Sequence, residues 1–233
     1  MIEVEWAGES LILLHQRALL WARRSTLCIA DWHLGKCASF RHAGLPVPDA
    51  PTGADLDRLS DLVRTYTPRR LVILGDLLHA PTARSPETLA AFSNWRAEHA
   101  DLEILLIRGN HDARAGDPPA DWRIRCANEP HADPGDARLC FSHYPEAGSN
   151  DSLGRFALAG HLHPAVHLIG PAASLRSRCF WFGRRVAVLP AFGSFTGSAS
   201  VRPSPGDRVF AIGEGRLAEV PIPPARRKVG QRA

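Results

Sequence analysis

The segment LEILLIRGNHD, residues 102–112, decides which fold the sequence encodes. Its apolar first half is typical of a strand that is buried on both faces, and Gly109 then precedes an amide, an imidazole and a carboxylate. In open α/β sheets the ligand crevice lies just beyond the carboxyl ends of the strands. Polar side chains at such a strand end are therefore candidates for chemistry. The same residue types also form ordinary surface turns, so the rest of the chain has to distinguish the two interpretations.

Four other apolar runs end in the same way, at an acid or a histidine. They are TLCIAD ending at Asp31, LVILGD at Asp76, RLCFSH at His143 and RFALAGH at His161. Helical periodicity lies between the runs that end at Asp31, Asp76 and Asp112: one helix is predicted over residues 54–66, and a second has Ser85 as N-cap and Pro86 in its first turn. Strands that alternate with helices predict crossover connections and a parallel sheet.

The later part of the chain has a different pattern of short apolar runs separated by Gly, Pro and Ser. RCFWF, RVAVLPAF, RVFAI and RLAEVPI are predicted to be strands with tight connections. We therefore predict an α/β fold in which a two-sheet β-sandwich is flanked by helices. IEVEW and ALLWAR near the start are further candidate strands, one of which we expect to pair with the C-terminal strands. Residues 40–53 and 113–136 are expected to be irregular insertions.

Composition limits the possible classes of protein. The chain has 233 residues, enough for one large domain, and we predict a single domain over residues 1–223 followed by a basic tail, 224–233. The tail holds four basic residues, which equals the net charge of +4, so composition alone does not predict a DNA-binding surface. The tail is predicted to be a disordered, solvated chain end rather than a segment that binds DNA. The five cysteines have no CxxC spacing, no apolar run is long enough to span a membrane, and the first residues carry acids; a cytoplasmic protein is expected.

The strand-end side chains form a candidate metal set. They are Asp31, His33, Asp76, Asn110, His143, His161 and His163. Imidazole, carboxylate and amide oxygen without thiolate suit a hydrolytic divalent metal site more than a structural one. Seven donors are too many for one ion. Two ions about 3.5 to 4 Å apart that share a carboxylate would use them all, and could stabilise both the attacking and the leaving oxygen of a phosphoryl displacement.

The order of these motifs resembles that of the calcineurin-like metallophosphoesterase superfamily: D-x-H, G-D, G-N-H-D, a lone His and G-H-x-H across residues 31–163. By this resemblance two divalent metals are expected. One is held by Asp31, His33 and His163, the other by Asn110, His143 and His161, and Asp76 bridges them.

The resemblance also implies a role for the two residues that follow Asn110. His111 would donate a proton to the leaving group and Asp112 would orient it, while a hydroxide between the metals attacks phosphorus in line. The G-N-H-D turn would then supply a ligand, an acid and the orienter of that acid.

Two longer stretches resemble a narrower family. DWHLGKCASFRHAGLPVP from Asp31 and LPAFGSFTG from Leu189 are similar to the ligase-associated DNA-damage-response endonucleases called PdeM. The resemblance implies a manganese-dependent DNA endonuclease that prefers single strands and acts in DNA repair beside a DNA ligase, a helicase and an exonuclease. Trp32 departs from that pattern, where a smaller residue is expected. The donor set itself also permits Fe, Ni or Zn.

Other superfamily functions fit less well. GDLLHA lacks the arginine of the phosphoprotein phosphatases, and His111 stands where lipid-precursor pyrophosphatases have Arg. A non-enzymatic scaffold would lack part of the catalytic set, which is complete here. A phosphodiesterase for nucleotides or other small phosphodiesters remains the alternative to a DNA endonuclease.

Residues that could bind substrate are less clearly marked by the sequence. The basic candidates are Lys36, Arg41, His79 and Arg108, and Phe40, Phe192 and Phe195 are the rings that could stack on bases. Each also has a purely structural explanation, as a solvated loop charge or as packing beside a glycine turn.

Overall fold

The computed structural model describes residues 1–48, 50–133, 135–151, 153–169 and 174–222. The predicted tail, residues 224–233, lies outside the described residues. The helices are α1 Lys36–His42, α2 Ala50–Tyr66, α3 Pro86–Glu98, α4 Asn110–Ala115 and α5 Pro145–Ser149. The strands are β1 Ile2–Trp6, β2 Glu9–Leu14, β3 Ala18–Trp21, β4 Thr26–Ile29, β5 Arg70–Leu74, β6 Glu103–Ile107, β7 Ile124–Ala127, β8 His131–Asp133, β9 Asp136–Phe141, β10 Phe156–Ala159, β11 Pro164–Ile169, β12 Ser174–Phe182, β13 Val186–Val188, β14 Ala199–Ser200, β15 Arg208–Gly213 and β16 Arg216–Val220.

The strands form two sheets. The first has the order β1-β2-β3-β4-β5-β6-β7, antiparallel from β1 to β4 and parallel from β4 to β7. The second has the order β14-β11-β12-β13-β10-β9-β8, with β15 paired to β12 and β16 to β15; within it β10 runs parallel to β9 and to β13. This is the predicted two-sheet α/β sandwich, and the fold prediction is confirmed.

Alternation along the parallel strands explains the long apolar runs. On β5, Val72 and Leu74 pack between the sheets, against residues that include Phe141 and Phe180 of the second sheet. Leu71 and Ile73 belong to a second cluster, which the first sheet shares with α2 and α3. Both faces of β5 are therefore buried, so it has no polar alternation. The carboxyl ends of these strands remain as the places where polar side chains can reach solvent.

The helices confirm the predicted signals. Ser85 caps α3, because its Oγ accepts a hydrogen bond from the backbone N–H of Thr88 at 3.2 Å, and Pro86 occupies the first turn.

Trp32, the departure from the PdeM pattern, is 2% exposed and packs its ring against Phe92 and Phe192, so it fills the core between the first sheet and its helices.

Three local expectations were wrong. Strands β1 and β3 pair with β2 instead of with C-terminal strands, because short turns connect neighbours and the entropy cost of closing a short loop is low. The expected irregular insertion over residues 40–53 contains the end of α1 and the start of α2. The other, 113–136, contains β7, which extends the parallel sheet beside β6, and β8. No helix in the described part of the chain is both long and apolar enough to cross a membrane.

Candidate metal centre and active site

The predicted ligands come from the carboxyl ends of five strands and meet at one edge of the sandwich. Asp31 and Asp76 lie just beyond β4 and β5, and Asn110 begins α4 after β6. His143 follows β9, and His161 follows β10. Because β4, β5 and β6 run parallel, as do β9 and β10, the two sheets deliver their polar ends to the same side. The structure thus brings together residues that are 130 positions apart in the chain.

The backbone at these positions adopts a sparsely populated conformation. Five of the predicted ligands have positive φ: Asp31 at 51°, His33 at 54°, Asp76 at 54°, His161 at 69° and His163 at 46°. Such backbone costs about 1 to 3 kcal/mol per residue and persists only where the surroundings enforce it. Its concentration at one edge of the sandwich is typical of a functional site.

Asp31, His33 and His163 form one candidate metal group. Their ligand atoms lie within 4.8 Å of one another. His33 Nε2 is 3.3 Å from His163 Nε2, and His163 Nε2 is 3.5 Å from Asp31 Oδ1. The backbone N–H of His161 donates to both carboxylate oxygens of Asp31, at 3.0 and 2.9 Å, which fixes that carboxylate in the site.

A second group is centred on His143. Asp31, Asp76 and His143 again place their ligand atoms within 4.8 Å of one another. His143 Nε2 lies 3.6 Å from Asp76 Oδ1, 3.1 Å from Asn110 Oδ1 and 3.1 Å from His161 Nδ1. Asp76 also faces the first group, with Oδ2 3.7 Å from His33 Nε2. Asp76 therefore has one oxygen toward each group, the position expected of a bridging ligand.

The chemistry of the donors fits a pair of cations. His143 Nδ1 donates to the carbonyl of Leu74 at 3.0 Å, so its Nε2 carries a lone pair. That lone pair points toward the side-chain amide oxygen of Asn110 and the carboxylate of Asp76, and these oxygens also have only lone pairs to offer. Electron pairs that converge in this way are stabilised by a cation among them.

Burial acts on the protonation of the same groups. It raises the pKa of Asp76 to about 6, against the attraction of His143, and lowers the pKa of His33 to about 2. Burial thus makes ionised Asp76 less favourable than it is in water. A divalent cation would oppose this effect, because it stabilises the ionised carboxylate and binds the neutral imidazole.

Glycines allow the strand ends to approach one another. A Cβ at Gly109 would collide with Oδ1 of Asp76, and a Cβ at Gly75, where φ is +83°, would collide with the ring of His143. These two positions explain why the G-D and G-N-H-D motifs begin with glycine.

His111 lies at the edge of the cluster, and a different group orients it from the one expected. Its Nδ1 is 2.5 Å from the carbonyl oxygen of His79. The carboxylate of Asp112, 2% exposed, accepts backbone N–H groups from Asp76 at 2.7 Å, Gly109 at 3.0 Å and Leu78 at 3.1 Å. Asp112 therefore joins the loop after β5 to the loop after β6, and the His79 carbonyl faces the His111 ring. The expected orienting role of Asp112 is corrected accordingly.

His79 is the substrate-binding candidate that the structure brings into the site. Its Nδ1 lies 3.2 Å from His33 Nδ1, and its ring stacks on that of His111 with centroids 5.0 Å apart. His33, His79 and His111 form a third group whose ligand atoms lie within 4.8 Å of one another. Burial, followed by the charge of Lys36, lowers the pKa of His79 to about 4, so its ring is neutral near pH 7.

The other basic candidates lie around the site in different environments. Lys36 begins α1, with Nζ 5.9 Å from the ring centroid of Phe40. Arg41 donates to the carbonyl of Val47 at 3.1 Å, so it binds the loop that follows α1. Arg108 forms two hydrogen bonds of 2.7 Å with the carboxylate of Asp117, which competes with any substrate phosphate.

Two acidic residues that hold loops around the site were not identified from the sequence. Glu129 Oε2 accepts hydrogen bonds from Ser142 Oγ at 2.6 Å, from the backbone of His143 at 2.6 Å and from that of Tyr144 at 2.8 Å, so it fixes the loop that presents His143. Asp55 Oδ2 accepts from the backbone N–H of Ser194 at 2.9 Å, in the loop after β13. Neither acid lies at the end of an apolar run, and their partners are distant in sequence.

Comparison with known families agrees with this geometry. The family model described as calcineurin-like phosphoesterase matches residues 25–185, which include every strand end that bears a predicted ligand. The chain belongs to this family. It is a metal-dependent phosphoester hydrolase, and the members of this family use a pair of divalent metals, for which the His and Asp groups described above provide candidate ligands.

Solved structures provide a second comparison. The crystal structure of Pseudomonas putida nuclease MPE is similar over 94% of this chain and 99% of that chain, with 38% identity and a TM-score of 0.80. This similarity is consistent with the PdeM-like family. Yfce, a phosphoesterase from E. coli, has 16% identity over 84% of this chain and 97% of that chain, and its TM-score of 0.45 supports no further argument. The search of curated proteins found no match.

Proposed function

We propose that this chain is a DNA endonuclease that hydrolyses phosphodiesters in single strands and acts in DNA repair. The similarity to Pseudomonas putida nuclease MPE at 38% identity, over nearly the full length of both chains, supports a nuclease. The PdeM-like motifs support the preference for single strands and the connection with a DNA ligase, a helicase and an exonuclease of one repair pathway, as functional partners.

Seven residues would hold the two metals, with Mn proposed first and Fe, Ni or Zn as substitutes. They are Asp31, His33 and His163 on one side, Asn110, His143 and His161 on the other, and Asp76 between them. When bound, the ions would neutralise charge on the phosphate and lower the pKa of water. The chain supplies the rest of the chemistry, which is to orient the phosphodiester and to deliver a proton to the departing oxygen.

The position of His111 is the observation that carries the proposal. With Nδ1 directed at the carbonyl of His79, its Nε2 is the nitrogen left to face a substrate. The backbone N–H of His111 donates to Asp76 Oδ1 at 2.9 Å, so the proposed general acid is hydrogen-bonded to the proposed bridging ligand. A proton from His111 to the leaving alkoxide is what cleavage of an unactivated DNA phosphodiester needs, since deoxyribose hydroxyls are poor leaving groups.

A cavity of about 500 Å³ lies on the Asn110 side of the site. Its lining includes Arg108, Arg114 and Tyr144. Lys36 and His79 lie near His33, which belongs to the other candidate metal group. Arg108 and Arg114 near one candidate metal group and Lys36 near the other suit a strand that continues past the scissile phosphate in both directions, as an endonuclease requires.

Circular single-stranded DNA tests this function, because it has no end from which an exonuclease could start. Purified protein with Mn²⁺ is expected to linearise the circle, and to do so neither without metal nor after His111→Ala. Linearisation that survives His111→Ala would retain the endonuclease and reject the assigned acid. Hydrolysis of small phosphodiesters with no cut in the circle would reject the endonuclease and favour the small-molecule alternative.

A further inference from the structure

Phe195 is an exposed ring on a loop whose backbone is held by many polar side chains. It is 39% exposed, and among the described residues no other phenylalanine, tyrosine or tryptophan is as exposed. Phe192, three residues earlier, is fully buried, packs on Trp32 and has the guanidinium of Arg58 4.2 Å from its ring centroid. Of the two phenylalanines in the loop after β13, only Phe195 can meet a ligand.

Three arginines and an aspartate hold this loop by its backbone. Arg178 donates to the carbonyls of Ala191 at 2.9 Å and Gly193 at 3.0 Å, and also bonds that of Thr196. The carbonyl of Phe192 accepts from Arg58 at 2.5 Å, and that of Gly193 from Arg17 at 3.2 Å. Asp55 accepts the N–H of Ser194 at 2.9 Å. A loop with this many charged partners is preorganised, so Phe195 has a fixed position.

A continuous series of rings joins Phe195 to the proposed acid. Phe195 and Phe40 meet edge to face, with centroids 5.5 Å apart. Phe40 lies nearly parallel to His79 at 6.4 Å, and His79 is stacked on His111 at 5.0 Å. Lys36 stands beside the same series, with Nζ 5.9 Å from the Phe40 centroid. The exposed ring therefore lies on the side of the site where His111 would release the leaving group.

We infer that Phe195, supported by Phe40, is a stacking subsite for a nucleobase of the leaving strand, with Lys36 beside the adjoining phosphate. This inference rests on the proposed function and adds a substrate contact to it. A phenyl face accepts any base but needs it unstacked, because both faces of a base inside a duplex are covered by its neighbours. The subsite would thus select single strands without selecting sequence.

An abasic substrate tests the subsite directly. The substrate is an end-labelled single-stranded oligonucleotide with one tetrahydrofuran residue in place of a nucleotide, and cleavage is measured at every linkage with Mn²⁺. Wild-type protein is expected to cut about 5- to 100-fold less at a linkage a fixed number of nucleotides from the missing base, the range that loss of one base stack predicts. Uniform cleavage around the abasic residue would overturn the inference.

Variants of Phe195 provide the second arm. Phe195→Leu retains apolar bulk without an aromatic face, and is expected to raise KM for intact single strands about 5- to 100-fold, with kcat nearly unchanged. On an oligonucleotide that is abasic throughout, Phe195→Leu and wild type should converge on the same KM. Phe195→Trp should retain wild-type KM. Leu153→Ala, a change at another exposed apolar residue, is the matched control that leaves cleavage unchanged.

The outcomes separate the inference from the function on which it depends. Wild-type KM in Phe195→Leu would overturn the subsite, whereas absence of cleavage of any intact single strand by wild type would overturn the endonuclease itself. If thermal melting shows that Phe195→Leu is unfolded, abasic interference with wild-type protein decides alone.

Discussion

The proposed metal centre and the proposed substrate wall, which is formed by Lys36 and Phe40, are built in opposite ways. In the centre, Asp31, Asp76 and His143 are buried, and a backbone group holds each of them. On the wall, Lys36 and Phe40 are partly exposed and contact each other through side chains. The chemistry is thus preorganised by strand ends, while Lys36 and Phe40 depend on contacts between side chains at the surface. Changes in the centre should therefore reduce turnover of every substrate, and changes in the wall should reduce cleavage of DNA more than hydrolysis of small phosphodiesters.

Asp76→Ala should have the largest effect. It removes the ligand proposed to lie between the two metals, so turnover is expected to fall below detection on single-stranded DNA and on bis(4-nitrophenyl) phosphate alike. Titration calorimetry should show that Mn²⁺ binding is lost as well. Asp61→Ala, at an exposed position of α2, is the control. Retained turnover on either substrate would contradict the bridging role.

His111→Ala should separate the two substrates. Loss of a general acid lowers rates by about 10²- to 10⁴-fold, and this loss is expected for DNA. A nitrophenolate leaves without a proton, so kcat on bis(4-nitrophenyl) phosphate should change much less. Both values come from initial rates at saturating Mn²⁺. An equal loss on both substrates would assign His111 to metal binding or folding instead.

Glu129→Ala should weaken the centre without removing a ligand. The backbone of His143 and Tyr144 and the hydroxyl of Ser142 would lose their common acceptor, and metal affinity should fall about 10- to 100-fold, as for other groups that hold a ligand in place. Glu129→Gln, which retains one oxygen, should lose less. The measurement is the Mn²⁺ concentration that gives half-maximal activity; an unchanged value in Glu129→Ala would reject this role.

Lys36→Ala should affect the wall alone. KM for single-stranded DNA is expected to rise about 3- to 10-fold, and the slope of log affinity against log salt should decrease by about 0.7, the value for one phosphate contact to a single strand. Hydrolysis of bis(4-nitrophenyl) phosphate should decrease less than cleavage of DNA. Arg64→Ala, at an exposed position of α2, controls for net charge. An equal decrease on both substrates would refute a DNA-positioning role.

Asp117→Asn should have the smallest effect. Arg108 exchanges a bidentate ion pair for a weaker contact and becomes available to a phosphate, so KM for DNA should fall about twofold. The pair is partly exposed, and its loss should change the free energy of unfolding by less than about 1 kcal/mol. Initial rates against DNA concentration give KM, and thermal melting checks the change in stability. A rise in KM would mean that the pair itself positions the strand.

The sequence was most informative where chemistry follows a buried strand. Asp31, Asp76 and Asn110 could be selected as candidate metal ligands because each follows an apolar run, and parallel strands place their carboxyl ends at one edge of the sheet. It was least informative where a charged residue supports a distant loop. Asp112 was expected to orient His111, whereas the ring of His111 faces the carbonyl of His79, and a backbone carbonyl has no side-chain signature.

The α/β sandwich and an order of donors that suits two metal ions could be predicted from the amino-acid sequence, because strand periodicity and strand-end chemistry are local properties of the chain. The folded structure was needed to show that His79 approaches His111, that Glu129 supports His143 and that Phe195 rather than Phe192 is exposed. Each of these depends on the packing of segments that are far apart in sequence, and no local pattern encodes the distance between them.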